Sequence, residues 1–312
     1  MSARVATFDR RMLPLGPAVA AIGVFDGVHL GHQALVRACR ERASAQGVAS
    51  VVVTFDRDPD RVVAPDRAAP QLLELEDKVA FLSELGVDAV VVVPFDAEVA
   101  SMPPERFVDD ILLAACTPVA VVVGEDFRFG RSAAGDVEAL RALGEARSFD
   151  VHAHPLVHVL GAPVTSTRIR SLVAEGEVEQ AATLLGRPHR VRGLVAHGRG
   201  IGTRLGAPTA NLRPHAYAAV PADGVYAAWA VLGQERYPAA VSVGAPPTFP
   251  GSARAVEAHL LSSPGSDLYG LDLAVDFVER LRGLERFEDE ASLARAIERD
   301  VERVRQVLAE HT

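Results

Sequence analysis

The 312-residue sequence predicts an α/β domain built on a parallel sheet, followed by a small antiparallel β-barrel that ends in a helix. Three observations carry this reading. First, Val-rich runs at 19–25, 49–55, 88–94 and 118–124 alternate with helix-like stretches at 32–45, 76–85, 104–115 and 136–145. Short continuous apolar strands separated by helices imply a parallel sheet covered on both faces. Second, the texture changes after Gly186-Arg187-Pro188. Residues 189–280 show short alternating strands with turns at Gly198–Gly200, Asp223-Gly224, Leu232–Gln234 and Pro264-Gly265, as in a barrel or sandwich. Third, residues 290–309 read as a helix in which Leu293, Ile297, Val301, Val304 and Leu308 form one apolar stripe, expected to lie as a lid over the barrel. The predicted domains are 1–186 and 187–312.

Bulk properties narrow the function. The length accommodates two domains, and 49% hydrophobic residues supply a core for each. A formal charge of −9 excludes a general nucleic-acid binder, which would show a basic face. Cys39 and Cys116 have neither metal-type spacing nor a disulfide framework. Met1–Gly16 lacks a signal-peptide apolar region, and the longest apolar runs, such as Ala89–Val93 and Val119–Val123, are too short to span a bilayer. The expectation is a soluble cytoplasmic protein with small-molecule partners and neither nucleic acid nor membrane; the sequence does not speak to oligomeric state. Lys78 is the single lysine, so the Gly-Lys-Ser/Thr of a P-loop is excluded. Phosphoryl chemistry must then use arginine, histidine, backbone amides or a metal ion.

The polar residues just after each apolar run are the ones that a parallel sheet presents to a ligand. After the first run comes Gly23-Val-Phe25-Asp-Gly-Val-His29-Leu-Gly31-His32. A strand-to-helix turn aims free N–H groups and the positive helix end at one point, which suits a phosphate. His29 and His32 lie three apart and both face that point once the helix begins. The stretch is also compatible with an ordinary capped turn or half a metal site. After the second run comes Thr54-Phe55-Asp56-Arg57-Asp58-Pro59, and after the fourth Gly124-Glu-Asp126-Phe127-Arg-Phe129-Gly130. Phe127 and Phe129 form either packing under a turn or an aromatic wall for a planar ligand, with Asp126 or Arg128 as polar contact. Thr165-Ser166-Thr167-Arg168-Ile169-Arg170 precedes helical residues; its hydroxyls are N-cap residues or a triphosphate clamp, with Arg170 neutralising charge.

In the second domain, the glycines of Gly198-Arg-Gly-Ile-Gly202 let backbone approach a polyphosphate. Thr209 and Asn211 face one side of an extended segment and offer hard oxygen donors for Mg²⁺, or form a polar turn. Glu257 and His259 share a strand face opposite Val256, Ala258 and Leu260; Glu257 there is a general base or a solvated residue.

These motifs, in this order, resemble the bacterial bifunctional riboflavin kinase/FMN adenylyltransferases, or FAD synthetases. The resemblance is carried by Gly23–His32, Thr54–Asp56, Gly124–Gly130, Thr165–Arg170, Leu184–Pro188, Gly206–Asn211, Asp223–Tyr226, Pro247–Phe249, Val256–His259 and Asp267–Gly270, and runs from about 19 to 308. It implies a Rossmann-like nucleotidyltransferase domain and a riboflavin kinase-like barrel. It implies that His29 and His32, in a turn with Gly23, Phe25 and Gly31, contact ATP phosphates; that Thr165, Ser166, Thr167 and Arg170 form a second clamp; and that FMN lies near Phe55, Asp126, Phe127 and Phe129. For the barrel it implies that Thr209 binds Mg²⁺ with the nucleotide phosphates, that Asn211 supports that site beside Gly198 and Gly202, and that Glu257 activates the ribityl hydroxyl. Riboflavin and ATP would give FMN, then FMN and ATP would give FAD and pyrophosphate. The sequence departs from the family pattern at Arg57-Asp58-Pro59, where Pro-His-Pro is usual, and at Gly202-Thr203 and Ala207. Those last departures motivate an alternative, an adenylyltransferase with a kinase-inactive flavin-binding barrel. A further alternative is a non-catalytic flavin sensor.

Overall fold

The computed structural model describes residues 3–9, 13–196, 209–245, 254–262 and 268–311. The chain forms two compact units, residues 1–69 with 74–165, and residues 70–73 with 166–312.

The first unit is a six-stranded, all-parallel sheet. Its strands are β1 (Arg4–Thr7), β2 (Pro17–Ile22), β3 (Ala49–Phe55), β4 (Ala89–Val93), β5 (Thr117–Gly124) and β6 (Asp150–His154), in the order β1-β4-β3-β2-β5-β6. The four Val-rich runs are the four inner strands. β1 and β6 were not legible as strands because they are the sheet edges: Arg-Val-Ala-Thr is largely exposed, and Asp-Val-His-Ala-His is only half-buried. Chain order reverses between β2 and β5, and the loops leaving the carboxyl ends of strands at such a reversal are where ligands bind in open α/β sheets. The motifs at 23–32 and 124–130 are those two loops.

Helices cover both faces of this sheet. α1 (Leu30–Gln46) buries Leu35, Val36, Cys39 and Ala43, and the Cys39 thiol donates to the Val19 carbonyl at 3.3 Å. Burial pushes the Cys39 and Cys116 thiols up to about 12, so neither is a thiolate at neutral pH. α2 is Leu75–Glu84. On the opposite face, Ala20, Ile22, Val51, Val53, Val91, Val121 and Val123 pack with Phe107, Ile111 and Leu112 of α3 (residues 104–115) and Leu140 of α4 (Val137–Arg147). α3 is not the uniform helix expected: Val108–Leu112 forms a π turn, the kind of bulge that shifts side-chain register within a helix. A short hairpin, β7 (His158–Val159) with β8 (Ala162–Pro163), closes the unit.

In the second unit, α5 (Ser166–Glu175) and α6 (Val178–Leu185) precede a closed antiparallel barrel. Its strands are β9 (His189–Ala196), β10 (Thr209–Pro214), β11 (Gly224–Leu232), β12 (Glu235–Gly244), β13 (Ala255–Leu260) and β14 (Asp272–Arg282), ordered β10-β13-β12-β11-β14-β9. Val191, Leu212, Tyr226, Val241, Val256, Leu273 and Phe277 fill the interior, and Val178 of α6 belongs to the same buried cluster. α7 (Glu290–Ala309) is a side cover rather than the lid expected over the barrel. Val304, Val307 and Leu308 pack on Ala227, Val278 and Trp229, because β11 and β14 present small and apolar residues outward there. Residues 70–73 join this unit through Gln71, whose N–H donates to the Tyr217 carbonyl at 2.6 Å and whose carbonyl accepts from Ala219 N–H at 2.9 Å.

Candidate active sites

The first site is the turn between β2 and α1. Phe25 (φ 54°) and Val28 (φ 40°) both adopt left-handed backbone on either side of Gly27 (φ 83°). A β-branched residue in that region is a genuine outlier costing about 1–3 kcal/mol, and such strain concentrates at ligand-binding turns. Val28 N–H donates to the Phe25 carbonyl at 3.1 Å, and the Gln33 amide donates to the Val28 carbonyl at 3.0 Å, which holds the turn shut.

His29 is the N-cap of α1. Its Nδ1 accepts from the His32 backbone N–H at 3.3 Å. Nδ1 must be unprotonated to accept, so in the neutral ring the proton sits on Nε2, which becomes a donor. The His29 and His32 rings stack with centroids 3.5 Å apart, and Phe25 meets His32 edge-on at 5.3 Å. His29 is buried, and His32 Nδ1 is out of solvent with no hydrogen-bond partner among the described residues. Burial, the adjacent His29 and the nearby Lys78 hold His32 well below the usual histidine range, so it is neutral at pH 7. Gly23 and Gly31 leave room for rings: a Cβ on Gly31 would stand 3.1 Å from the His29 ring, and one on Gly23 3.2 Å from the Phe25 ring.

Beside this turn lies a chain of aromatic contacts that runs Phe95–Phe55–Phe107–Phe129–Phe127, with centroid separations of 5.2, 6.3, 5.7 and 5.5 Å. Of the residues expected against a flavin, Phe55 and Phe129 are each 6% exposed and belong to the core, whereas Phe127 is half-buried and Asp126 exposed. Phe95 and Phe107 were missed; both follow or sit within helical or loop segments with no motif around them. The Arg57 departure is an exposed pair with Asp56 at 2.7 Å, and Asp56 in turn accepts from Phe95 N–H at 2.8 Å.

The division between the two units falls between Thr165 and Ser166. Ser166, Thr167 and Arg170 lie on the first turns of α5, with Thr167 exposed. The Arg170 guanidinium donates to the Pro70 carbonyl at 2.7 Å.

On the barrel, Ala210 and Leu212 of β10 and Val256 and Ala258 of β13 point inward, which turns Thr209, Asn211, Glu257 and His259 outward as the alternation predicts. Register completes the cluster: Asn211 is opposite Glu257, Thr209 is opposite His259, and Ser242 of β12 flanks Glu257 on its other side. Directly opposed residues bring their side chains within reach of one another. Ser242 was missed, although the alternation Val241-Ser-Val243 marks it as outward. Gly198, Gly202, Thr203, Ala207 and Pro247–Phe249 lie outside the described residues. Among the described residues no group of three or more His, Cys, Asp and Glu could hold a metal ion. No described helix is long and apolar enough to cross a membrane.

Comparison with known proteins finds one family model on each part of the chain. The family model described as FAD synthetase matches residues 14–168, and that described as riboflavin kinase matches 185–308. Proteins named bifunctional riboflavin kinase/FMN adenylyltransferase are similar along nearly the whole length. That of Pseudomonas fluorescens is 38% identical over 93% of each chain. That of Escherichia coli K12 is 34% identical over 92% of this chain and 91% of the relative, and that of Bacillus subtilis 31% over 91% and 90%. A crystal structure described as a macrolide-efflux protein from Streptococcus pneumoniae is 29% identical and has a TM-score of 0.84, covering 96% of this chain and 98% of that one.

Proposed function

The chain belongs to the bifunctional riboflavin kinase/FMN adenylyltransferase family, and from that premise we propose how its residues divide the two reactions. The protein is an enzyme that phosphorylates riboflavin to FMN and adenylylates FMN to FAD. Residues 1–186 carry adenylyl transfer and residues 187–312 carry the kinase, a division supported by the limits of the two family matches.

The observation that carries the adenylylation site is the strained turn that caps α1 with His29 Nδ1 and so leaves Nε2–H as the donor. In the reaction, an FMN phosphate oxygen attacks the α-phosphorus of ATP, a new P–O–P bond forms, and the bond to pyrophosphate breaks. No proton need move on the attacking group, because a phosphate at neutral pH is already anionic. The protein's part is alignment and charge stabilisation. His29 Nε2–H and the free N–H groups at the start of α1 donate to phosphate oxygens; His32 is held neutral against His29 and adds a second imidazole. Gly23, Phe25 and Gly31 shape the turn. Thr165, Ser166, Thr167 and Arg170 are assigned to the remaining phosphates. Phe127, with Asp126 at its edge, faces the flavin, while Phe55 and Phe129 support it from the core.

In the barrel, Glu257 is the general base. It takes the proton of the ribityl 5′-hydroxyl as that oxygen attacks the γ-phosphorus of ATP, and ADP leaves. Thr209 and Asn211 offer a hydroxyl and an amide oxygen beside Glu257, a donor set that would suit Mg²⁺; Gly198 and Gly202, outside the described residues, are assigned to nucleotide binding on the family pattern. When bound, Mg²⁺ supplies charge neutralisation on the transferring phosphoryl group.

The test is chromatography of flavins after mixing protein, ATP and Mg²⁺ with riboflavin or with FMN. Glu257→Ala is expected to abolish FMN formation and spare FMN-to-FAD conversion; His29→Ala is expected to accumulate FMN without FAD. A folded Glu257→Ala that loses both activities, or a His29→Ala that makes FAD at the parent rate, refutes the assignment.

A further inference from the structure

In a chain with 32 basic residues, 31 are arginines, and the single lysine is buried. Lys78 is 1% exposed on α2. Its Nζ donates to the Phe55 carbonyl at 2.6 Å and to the Val24 carbonyl at 3.2 Å. Those two carbonyls lie at the carboxyl ends of β3 and β2, where the parallel ladder stops. The last ladder pair is Ile22 with Val53, and Gly23 N–H still reaches the Val53 carbonyl at 3.2 Å. The Thr54 hydroxyl also donates to the Val24 carbonyl, at 3.1 Å. Val24 directly precedes Phe25, the first left-handed residue of the His29 turn.

We propose that Lys78 is a positioning residue for adenylyl transfer, its ammonium group tying the Val24 and Phe55 carbonyls together and so fixing the strained turn that aims His29. This rests on the adenylylation reading of that turn. An ammonium removed from water carries a large desolvation cost, which its hydrogen bonds to the two carbonyls help to offset. A compact three-donor ammonium also suits two carbonyls at adjacent strand ends, whereas a planar guanidinium does not. The group is a charge as well as a clamp. Asp26 of the turn and Asp58 and Asp56 of the loop after β3 favour its charged form, burial opposes it, and the balance sets it at about 8. His32 at the start of α1 senses the same charge, so an anion accepted at that histidine is sensed by Lys78 in return.

The experiment uses the full chain and its two activities. Lys78→Met is expected to lower FMN adenylylation about 100-fold, mostly in kcat, as for a misplaced catalytic group. Riboflavin kinase activity stays within about twofold, as expected for a reaction carried by other residues. Lys78→Arg is expected to restore little. A Lys78→Met protein that keeps more than about a third of the adenylylation rate, under about 0.65 kcal/mol of transition-state loss, overturns the proposal. His29→Ala is run in parallel: if it too is unimpaired, the reading of the turn has failed, and if it alone is impaired, only the lysine proposal has. A second readout needs no variant. With one lysine in the chain, ¹³Cε-lysine labelling gives a single side-chain resonance, expected to titrate near 8 and to shift its midpoint upward when pyrophosphate is added. A lysine serving the fold alone would not respond to pyrophosphate, and an unmoved midpoint at saturating pyrophosphate overturns the proposal even if Lys78→Met fails to fold.

Discussion

Gly31→Ala separates stability from catalysis at the phosphate turn. Gly31 is the second residue of α1, and alanine there gains about 0.5–1 kcal/mol of helix stability through reduced chain entropy. The added Cβ would stand 3.1 Å from His29 Cε1 and 3.2 Å from Nδ1, so the ring must retreat by a few tenths of an ångström. Stacked His32, with its centroid 3.5 Å away, limits the retreat, and a forced off-rotamer side chain costs about 0.5–1.5 kcal/mol. The two terms roughly cancel, so the thermal midpoint should move by only a few degrees. Catalysis has no such compensation. The cap bond to His32 N–H is already 3.3 Å long, and a further few tenths takes it out of hydrogen-bonding range. Nε2–H then loses its aim at a charged phosphate oxygen, an interaction worth about 1.5–3 kcal/mol, which is roughly 10- to 150-fold in rate. Initial rates of FAD formation from FMN measure the loss, and riboflavin kinase activity of the same sample reports folding. FAD formation within twofold of the parent, with the kinase intact, would refute the role given to the His29 cap.

Other predictions follow from the same geometry. His189 is buried at the start of β9 with Nε2 2.7 Å from the Ala219 carbonyl, and burial lowers it from 6.5 to about 4. Its neutral form stabilises the fold above pH 6.5, and about 3 kcal/mol is lost as pH falls from 6.5 towards 4. Thermal unfolding against pH should show that acid limb, flattened in His189→Gln; an unchanged limb would show that other groups control it. Phe129→Ala should cost about 3–5 kcal/mol as a core truncation, whereas Phe127→Leu should leave the midpoint within a few degrees and raise the KM for FMN several-fold. Equal destabilisation by both substitutions would remove the distinction drawn between support and contact.

The fold was readable where burial dictates composition. The four inner strands must be apolar on both faces, and they appear in the sequence as short apolar runs, rich in Val in β3, β4 and β5. The edges β1 and β6 carry no such demand and left no pattern. The barrel alternation was legible because only one face of each strand is buried, and it placed Thr209, Asn211, Glu257 and His259 on the outer face. What alternation alone does not give is register, which set Asn211 opposite Glu257 and brought in Ser242. Lys78 shows the same limit at the first site. Its rarity was plain, but its function as a clamp depends on contacts with residues 23 and 54 positions away in sequence.

The site chemistry reconciles a formal charge of −9 with polyphosphate substrates. An acidic protein repels ATP at long range, and a basic patch would answer that repulsion only to the extent that salt does not screen it. On the proposed reading the turn instead uses groups that are neutral or buried: an imidazole with a fixed Nε2–H, a second imidazole held uncharged, the first amides of a helix, and one ammonium behind them. Such donors lie in low dielectric, where they are strong at contact and need no reorganisation as negative charge moves from the α-phosphate to pyrophosphate. The strain at Phe25 and Val28 follows from the same requirement, because amides and rings held this close do not fall into place on a relaxed strand-to-helix connection.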